Sequence, residues 1–144
     1  MKKLLLLFVV VAFVATSFSF ILPGEPWNIP DSYLKLKNPV KADAASIKAG
    51  RELYTNHCQS CHGVIGKGDG TKGAHLDTAP ADFTSVTFQS QPDGALFYKI
   101  YFGHKDMPAF KKRIPDNEDV IDGSFGQTRG PADLINYLRT LAKQ

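Results

Sequence analysis

Hydrophobic residues along the chain form one long block and several short periodic runs, and the two kinds predict different elements. The block runs from Leu4 to Leu22, is broken only by Thr16, Ser17 and Ser19, and follows Lys2 and Lys3. A basic end before an apolar stretch has the form of a secretory signal. The same stretch approaches the ~20 residues that cross a bilayer. Two fates therefore stay open for residues 1–22: a signal peptide cut near the small residues Ala15, Ser17 or Ser19, or a retained N-terminal membrane anchor. Either places everything after Leu22 beyond the membrane, on the exported, periplasmic side. No cysteine lies in the block, which excludes a lipoprotein anchor.

Residues 23–42 hold Pro23, Pro26, Pro30 and Pro39 together with the single tryptophan, Trp27. Proline at that density excludes a long helix and predicts an extended arm, with Trp27 anchoring it on the domain or on a partner. Helical periodicity starts after Asp43, a candidate N-cap. Ile47, Gly50, Leu53, Tyr54 and His57 recur at three and four residues, predicting a helix from Ala44 to about Cys61. Five glycines between Gly63 and Gly73 end it in a loop, and Pro80 to Ser90 reads as irregular. A second helix is predicted over Pro92–Phe102, with Leu96, Phe97, Ile100 and Tyr101 inward and Gly103 at its end. After a second glycine-rich loop, Gly123 to Gly130, Pro131 suits the first turn of a last helix carrying Leu134, Ile135, Leu138 and Leu141 on one face. No stretch alternates convincingly as a strand. The reading is an all-α domain over residues 43–144 with long Gly/Pro-rich loops.

Charge and composition narrow the chemistry. Formal charge is +3, from 17 Lys+Arg against 14 Asp+Glu; without Lys2 and Lys3 the remainder carries 15 against 14, or +1. A protein that reads phosphates would show a larger basic surplus, so nucleic acid is excluded as a partner. Three short helices with long loops bury a modest core, and long loops in a small domain usually wrap something. A large apolar cofactor would complete such a core. Two free thiols in an oxidising compartment would be open to disulfide formation, so Cys58 and Cys61 should be consumed.

Cys58-Gln59-Ser60-Cys61-His62 is C-x-x-C-H, the attachment motif of c-type haem. On a helical turn the residues at i and i+3 share a face, so both thiols can reach the two vinyl groups on one porphyrin edge. His62 then offers its imidazole to the iron. Two other uses of the cysteines fit less well. A thioredoxin-type C-x-x-C needs a βαβ context, and structural zinc needs four ligands, for which His75 and His104 lie too far apart. The candidate distal ligand is Met107, the one methionine besides Met1, with Pro108 stiffening the loop that presents it. His75 and His104 are rivals, each read as a surface histidine, and His57 adjoins Cys58 too closely to reach the opposite face. A sixth site left open would instead imply gas binding or peroxide chemistry.

On Cys58-x-x-Cys61-His62, on Gly50, Tyr54 and Cys58 at four-residue intervals, on Leu134-Ile135-Asn136-Tyr137-Leu138, and on Gly66-Lys67-Gly68-Asp69-Gly70 after Cys-His-Gly, the chain resembles the single-haem class I c-type cytochromes. The resemblance covers residues 43–142 apart from one loop. It implies a small cytochrome c-like helical domain wrapped around one covalent haem c (iron protoporphyrin IX). It also implies that Gly50 admits the last helix, with Tyr54 and Tyr137 packed at the crossing. The axial histidine of that family donates its other ring N–H to a backbone carbonyl, for which Pro80 is the candidate. The implied haem pocket comprises Tyr54, Ile65, Phe83, Phe97, Ile100, Pro108 and Phe110. The insert Ile121–Gly130 departs from the family pattern, and Phe125 within it is a candidate haem or partner contact.

The implied function is one-electron carriage in an exported respiratory chain, between a membrane reductase and an oxidase or dehydrogenase complex, with no substrate bond broken. A haem c subunit held on a membrane respiratory or dehydrogenase complex is the alternative. Lys111-Lys112-Arg113, just after the Met107 loop, is a candidate ring of charge for an acidic partner.

Overall fold

The computed structural model describes residues 26–111, 113–114 and 129–143. Among them run six α-helices: α1 (Asp31–Leu34), α2 (Ala44–His57), α3 (Gln59–His62), α4 (Val86–Gln89), α5 (Asp93–Phe102) and α6 (Arg129–Thr140). Short 3₁₀ turns lie at Gly73–His75 and Leu141–Lys143. The described residues contain no strand, and an isolated antiparallel bridge joins His104 and Met107. The fold is all-α. The leader, Lys112 and most of the Ile121–Gly130 insert, with Phe125, lie outside the described residues.

The Asp43 side chain caps α2 by accepting from the Ser46 N–H at 2.9 Å. Ser46, Gly50 and Tyr54, four residues apart, form the buried stripe of α2 and face α6. The crossing is close because Gly50 lacks a side chain: a Cβ there would sit 2.0 Å from the Asp133 carbonyl oxygen. Tyr54 and Tyr137 flank it, their ring centroids 5.3 Å apart. Helix α6 is buried from Gly130 to Leu138, enclosed by α2, by α5 and by the segment before α2.

That last contact is polar. The Asn136 side chain amide donates to Ser46 Oγ at 2.9 Å and to the Val40 carbonyl at 3.0 Å, and the Asn38 amide donates to Asn136 Oδ1 and the Ala132 carbonyl, each at 3.0 Å. Ser46 Oγ in turn donates to the buried Asp133 carboxylate at 2.5 Å. Each buried polar group thus has a partner, which makes the network rigid instead of costly. At the other end of α6, Arg139 reaches Asp93 at 2.6 Å and the carbonyls of Gln89 and Gln91, tying α6 to the start of α5.

Three local expectations change. The predicted helix to Cys61 is two pieces. Cys58 adopts φ −116°, and its carbonyl accepts from both Cys61 N–H at 3.1 Å and His62 N–H at 2.9 Å, so α3 forms a turn of its own. The predicted irregular stretch contains α4, started by Ser85, whose hydroxyl accepts from the Phe88 N–H. The arm is not wholly extended either. Pro30 leads into α1, which lays Tyr33 against α5 beside Phe97, Tyr98 and Phe102.

Candidate haem site

Helix α3 presents Cys58, Cys61 and His62 on the wall of a cavity of about 590 Å³. That volume falls within the ~300–1,000 Å³ range of cofactor pockets. Its other walls come from the Leu76–Ala81 segment, Phe83, α5 through Leu96 and Ile100, α6 through Leu134 and Leu138, and the His104–Phe110 loop. Met107 lies on that loop and lines the same cavity. The C-x-x-C-H motif and the candidate distal methionine, 45 positions apart by the difference of His62 and Met107, therefore share one apolar chamber.

The His62 ring is fixed from two directions. Its Nδ1 lies 3.2 Å from the Ala81 carbonyl oxygen, and its ring stacks on Phe83 with centroids 4.2 Å apart and planes 20° apart. Burial holds its pKa below the ordinary imidazole value, and the Ala81 carbonyl pulls the other way more weakly. A neutral imidazole carrying its proton on Nδ1 leaves Nε2 as the donor for a metal. The sequence placed this bond at Pro80. It falls one residue later, because the Pro80 carbonyl instead packs against Gly68. Pro80 itself lines the cavity. Phe83 is placed by its own N–H, which donates to the Gly66 carbonyl at 2.7 Å, and by Gln89, whose amide donates to the carbonyls of Phe83 and Leu138.

The Met107 loop is built as firmly. His104 N–H donates to the Met107 carbonyl and Met107 N–H to the His104 carbonyl, both at 2.9 Å. Phe110 N–H donates to Ile100 and Lys111 N–H to Tyr101, folding the loop back along α5. Gly103 starts it at φ +66°, where a Cβ would meet the Met107 carbonyl oxygen at 2.5 Å, so only glycine fits. Across the cavity, Asp106 accepts from the Thr78 N–H at 3.1 Å.

Of the other expected pocket residues, Phe83, Ile100, Pro108 and Phe110 line the cavity. Tyr54, Ile65 and Phe97 do not. Tyr54 stands behind the site, its hydroxyl donating to the Gly63 carbonyl at 2.5 Å, and burial raises its pKa far above the phenol range. Phe97 faces Tyr33 and Tyr101 in the core, and Ile65 is exposed on the glycine loop. His75 is exposed. His104 is not the surface histidine expected: its ring is half-buried on the cavity wall, against Trp27 at 4.9 Å. Trp27 thus anchors the arm on the domain, beside the cavity mouth, with Lys99 Nζ 5.4 Å from its ring centroid. Leu76, Phe88, Leu96, Leu134 and Leu138 also line the chamber. Sequence reasoning put Leu96, Leu134 and Leu138 on inner helix faces, whose periodicity cannot separate a core face from a cofactor face, and gave Leu76 and Phe88 no role.

A family model described as "Cytochrome C oxidase, cbb3-type, subunit III" matches residues 45–120, more than half of the chain. The chain belongs to this family of c-type cytochrome domains. Membership carries haem-based electron transfer and a covalently bound haem c. The fold agrees with a solved structure, the reducing HAO-like protein complex of Kuenenia stuttgartiensis, at a TM-score of 0.59 and 23% identity. The match covers 90% of this chain and 54% of that one, so the cytochrome chain spans about half the length of its structural neighbour. No curated protein matches.

The residues present fit the group that the family implies. Two cysteines and an oriented neutral histidine converge on a chamber with mostly apolar walls, and two further donor side chains, Met107 and His104, lie on its loop wall. Burial pushes the Cys58 thiol up to about 12, with Cys61 adding to the effect. A redox-active C-x-x-C needs the opposite, a stabilised thiolate. Among the described residues, no three His, Cys, Asp or Glu side chains are grouped to hold a metal ion by themselves.

Proposed function

We propose that the chain is an exported one-electron carrier in a respiratory chain, holding one haem c through Cys58 and Cys61 with His62 and Met107 as axial ligands. The single observation that carries this reading is the meeting of the C-x-x-C-H turn and the Met107 loop in one apolar chamber. Haem iron supplies a reversible one-electron couple, and a thioether opposite histidine raises its potential. The protein's own part is to fix geometry and exclude water. Ala81 and Phe83 lock the His62 ring, and the paired backbone bonds of His104 and Met107 hold the methionine loop. Ile100, Phe110, Leu134 and Leu138 keep the walls dry. A rigid, closed site changes little between oxidation states, which is what fast electron transfer requires.

The leader, Met1–Leu22, supports export to the periplasmic side, either soluble after cleavage or anchored. Arg113 lines the cavity beside Phe110, and an acidic redox partner would meet it there. With a surplus of +1 after the leader, steering is weak, and electron-transfer rates should depend little on ionic strength. The family description names an oxidase subunit and the structural neighbour sits in a complex, which favours a second reading as a subunit of a membrane respiratory complex. Fractionation separates the two: soluble release supports the carrier, and co-purification with a membrane complex supports the subunit. The ligand set is tested by the visible spectrum of protein made with haem-attachment machinery. The ferric form should show the weak far-red band of sulfur ligation, and Met107→Ala should abolish it. Survival of the band would refute the assignment.

A further inference from the structure

His104 has no task in the reading so far, yet it is the least satisfied group of the site. Its Nε2 is shut off from solvent and finds no hydrogen-bond partner among the described residues. A buried polar nitrogen left unpaired is costly, so folded proteins rarely keep one without a use. The neighbouring polar side chains already have partners: Lys99 donates to Gln91 Oε1 at 2.5 Å, and Asp106 accepts from Thr78. The ring lines the cavity, and Trp27 backs it. His104 is also bonded through its backbone, in both directions, to Met107. The same two-residue turn therefore carries a thioether at one end and, at the other, an imidazole that borders the chamber with its unpaired nitrogen covered by protein.

We infer that the turn holds two distal donors, and that His104 Nε2 takes the sixth position when the Met107 sulfur is lost. This deepens the proposed function and rests on it. Imidazole nitrogen is a common metal donor, and Met107 and His104 belong to one hydrogen-bonded unit, so the exchange asks for an adjustment of one turn and no unfolding of a helix. The consequence is a site that stays closed to small exogenous ligands after its methionine is gone, at a lower potential, since imidazole nitrogen stabilises ferric iron relative to a thioether, which favours the reduced state.

The test uses full-length holoprotein made with the haem-attachment machinery, as wild type, Met107→Ala, His104→Ala and the double variant. Wild type and His104→Ala should both keep the far-red band. Met107→Ala should lose that band yet stay low-spin by electron paramagnetic resonance, bind carbon monoxide poorly when reduced, and show a lowered midpoint potential. The double variant should turn high-spin and bind carbon monoxide readily. The inference is overturned if Met107→Ala alone is high-spin and open, as it would be if His104 instead bonded a haem carboxylate. It is equally overturned if the double variant stays low-spin, because another side chain would then supply the nitrogen. Met107→Leu, close in volume, replaces Met107→Ala if the latter does not fold, with the same outcomes expected. A wild type without attached haem would refute the proposed function itself, whereas a normal wild type with an open Met107→Ala refutes only the role of His104.

Discussion

The two sides of α6 are built to different standards. Toward α2 the chain is closed upon itself: Gly50 lets backbone touch backbone, and Ser46, Asp133, Asn136 and Asn38 satisfy one another in a buried network. Toward the His104–Phe110 loop, Leu134 and Leu138 of the same helix face a chamber of about 590 Å³. The crossing is finished by protein atoms; the chamber is shaped for a guest that completes the core. One helix thus separates the part of the domain that specifies the fold from the part proposed to hold haem.

The largest effect should come from removing the guest. Cys58→Ala with Cys61→Ala should abolish covalent haem and bring the thermal midpoint well below that of the holoprotein, while the haem-free chain stays folded at room temperature. A variant that kept the holoprotein's midpoint would show that the crossing carries the fold alone. Next, Gly50→Val should destabilise by about 3 kcal/mol or more, because the new side chain enters space held by Asp133 and Tyr137. Denaturant titration measures it, and an unchanged midpoint would mean the helices do not touch there. Ser46→Ala should cost about 1–3 kcal/mol by leaving Asp133 and Asn136 short of a partner, again without moving the visible spectrum. Ile65→Ser should change stability by no more than about 0.5 kcal/mol and leave haem content unaltered, since Ile65 is exposed.

The thiols offer a finer contrast. A pKa raised to about 12 keeps Cys58 protonated across neutral and mildly alkaline pH. In protein made without haem, alkylation of Cys58 should therefore stay slow up to that range and rise as pH approaches it. Rapid labelling at neutral pH would place the thiol in a different environment.

Much of this was legible from residue types. Glycine and proline marked the ends of the long helices to within a residue or two, because those residues act through local backbone geometry: Gly103 closes α5 and Pro92 opens it. The C-x-x-C-H turn and the lone loop methionine pointed to one chemistry, since few others use that spacing. What stayed hidden depends on three-dimensional closure. The break at Cys58 arises because one carbonyl accepts two donors, and nothing in the local sequence signals that. The histidine's carbonyl partner shifted from Pro80 to Ala81 by the packing of a loop on Gly68. His104 reads as an ordinary surface residue until the distant Trp27 covers it. The Asn38–Asn136–Ser46 network joins residues nearly a hundred positions apart, each unremarkable alone.

The account depends most on attachment of haem at Cys58 and Cys61, and intact-mass spectrometry of the exported, denatured polypeptide tests it directly. A single species heavier than the apoprotein by one haem, with both cysteines refusing alkylation, is the predicted result. A bare polypeptide with two titratable thiols would contradict it.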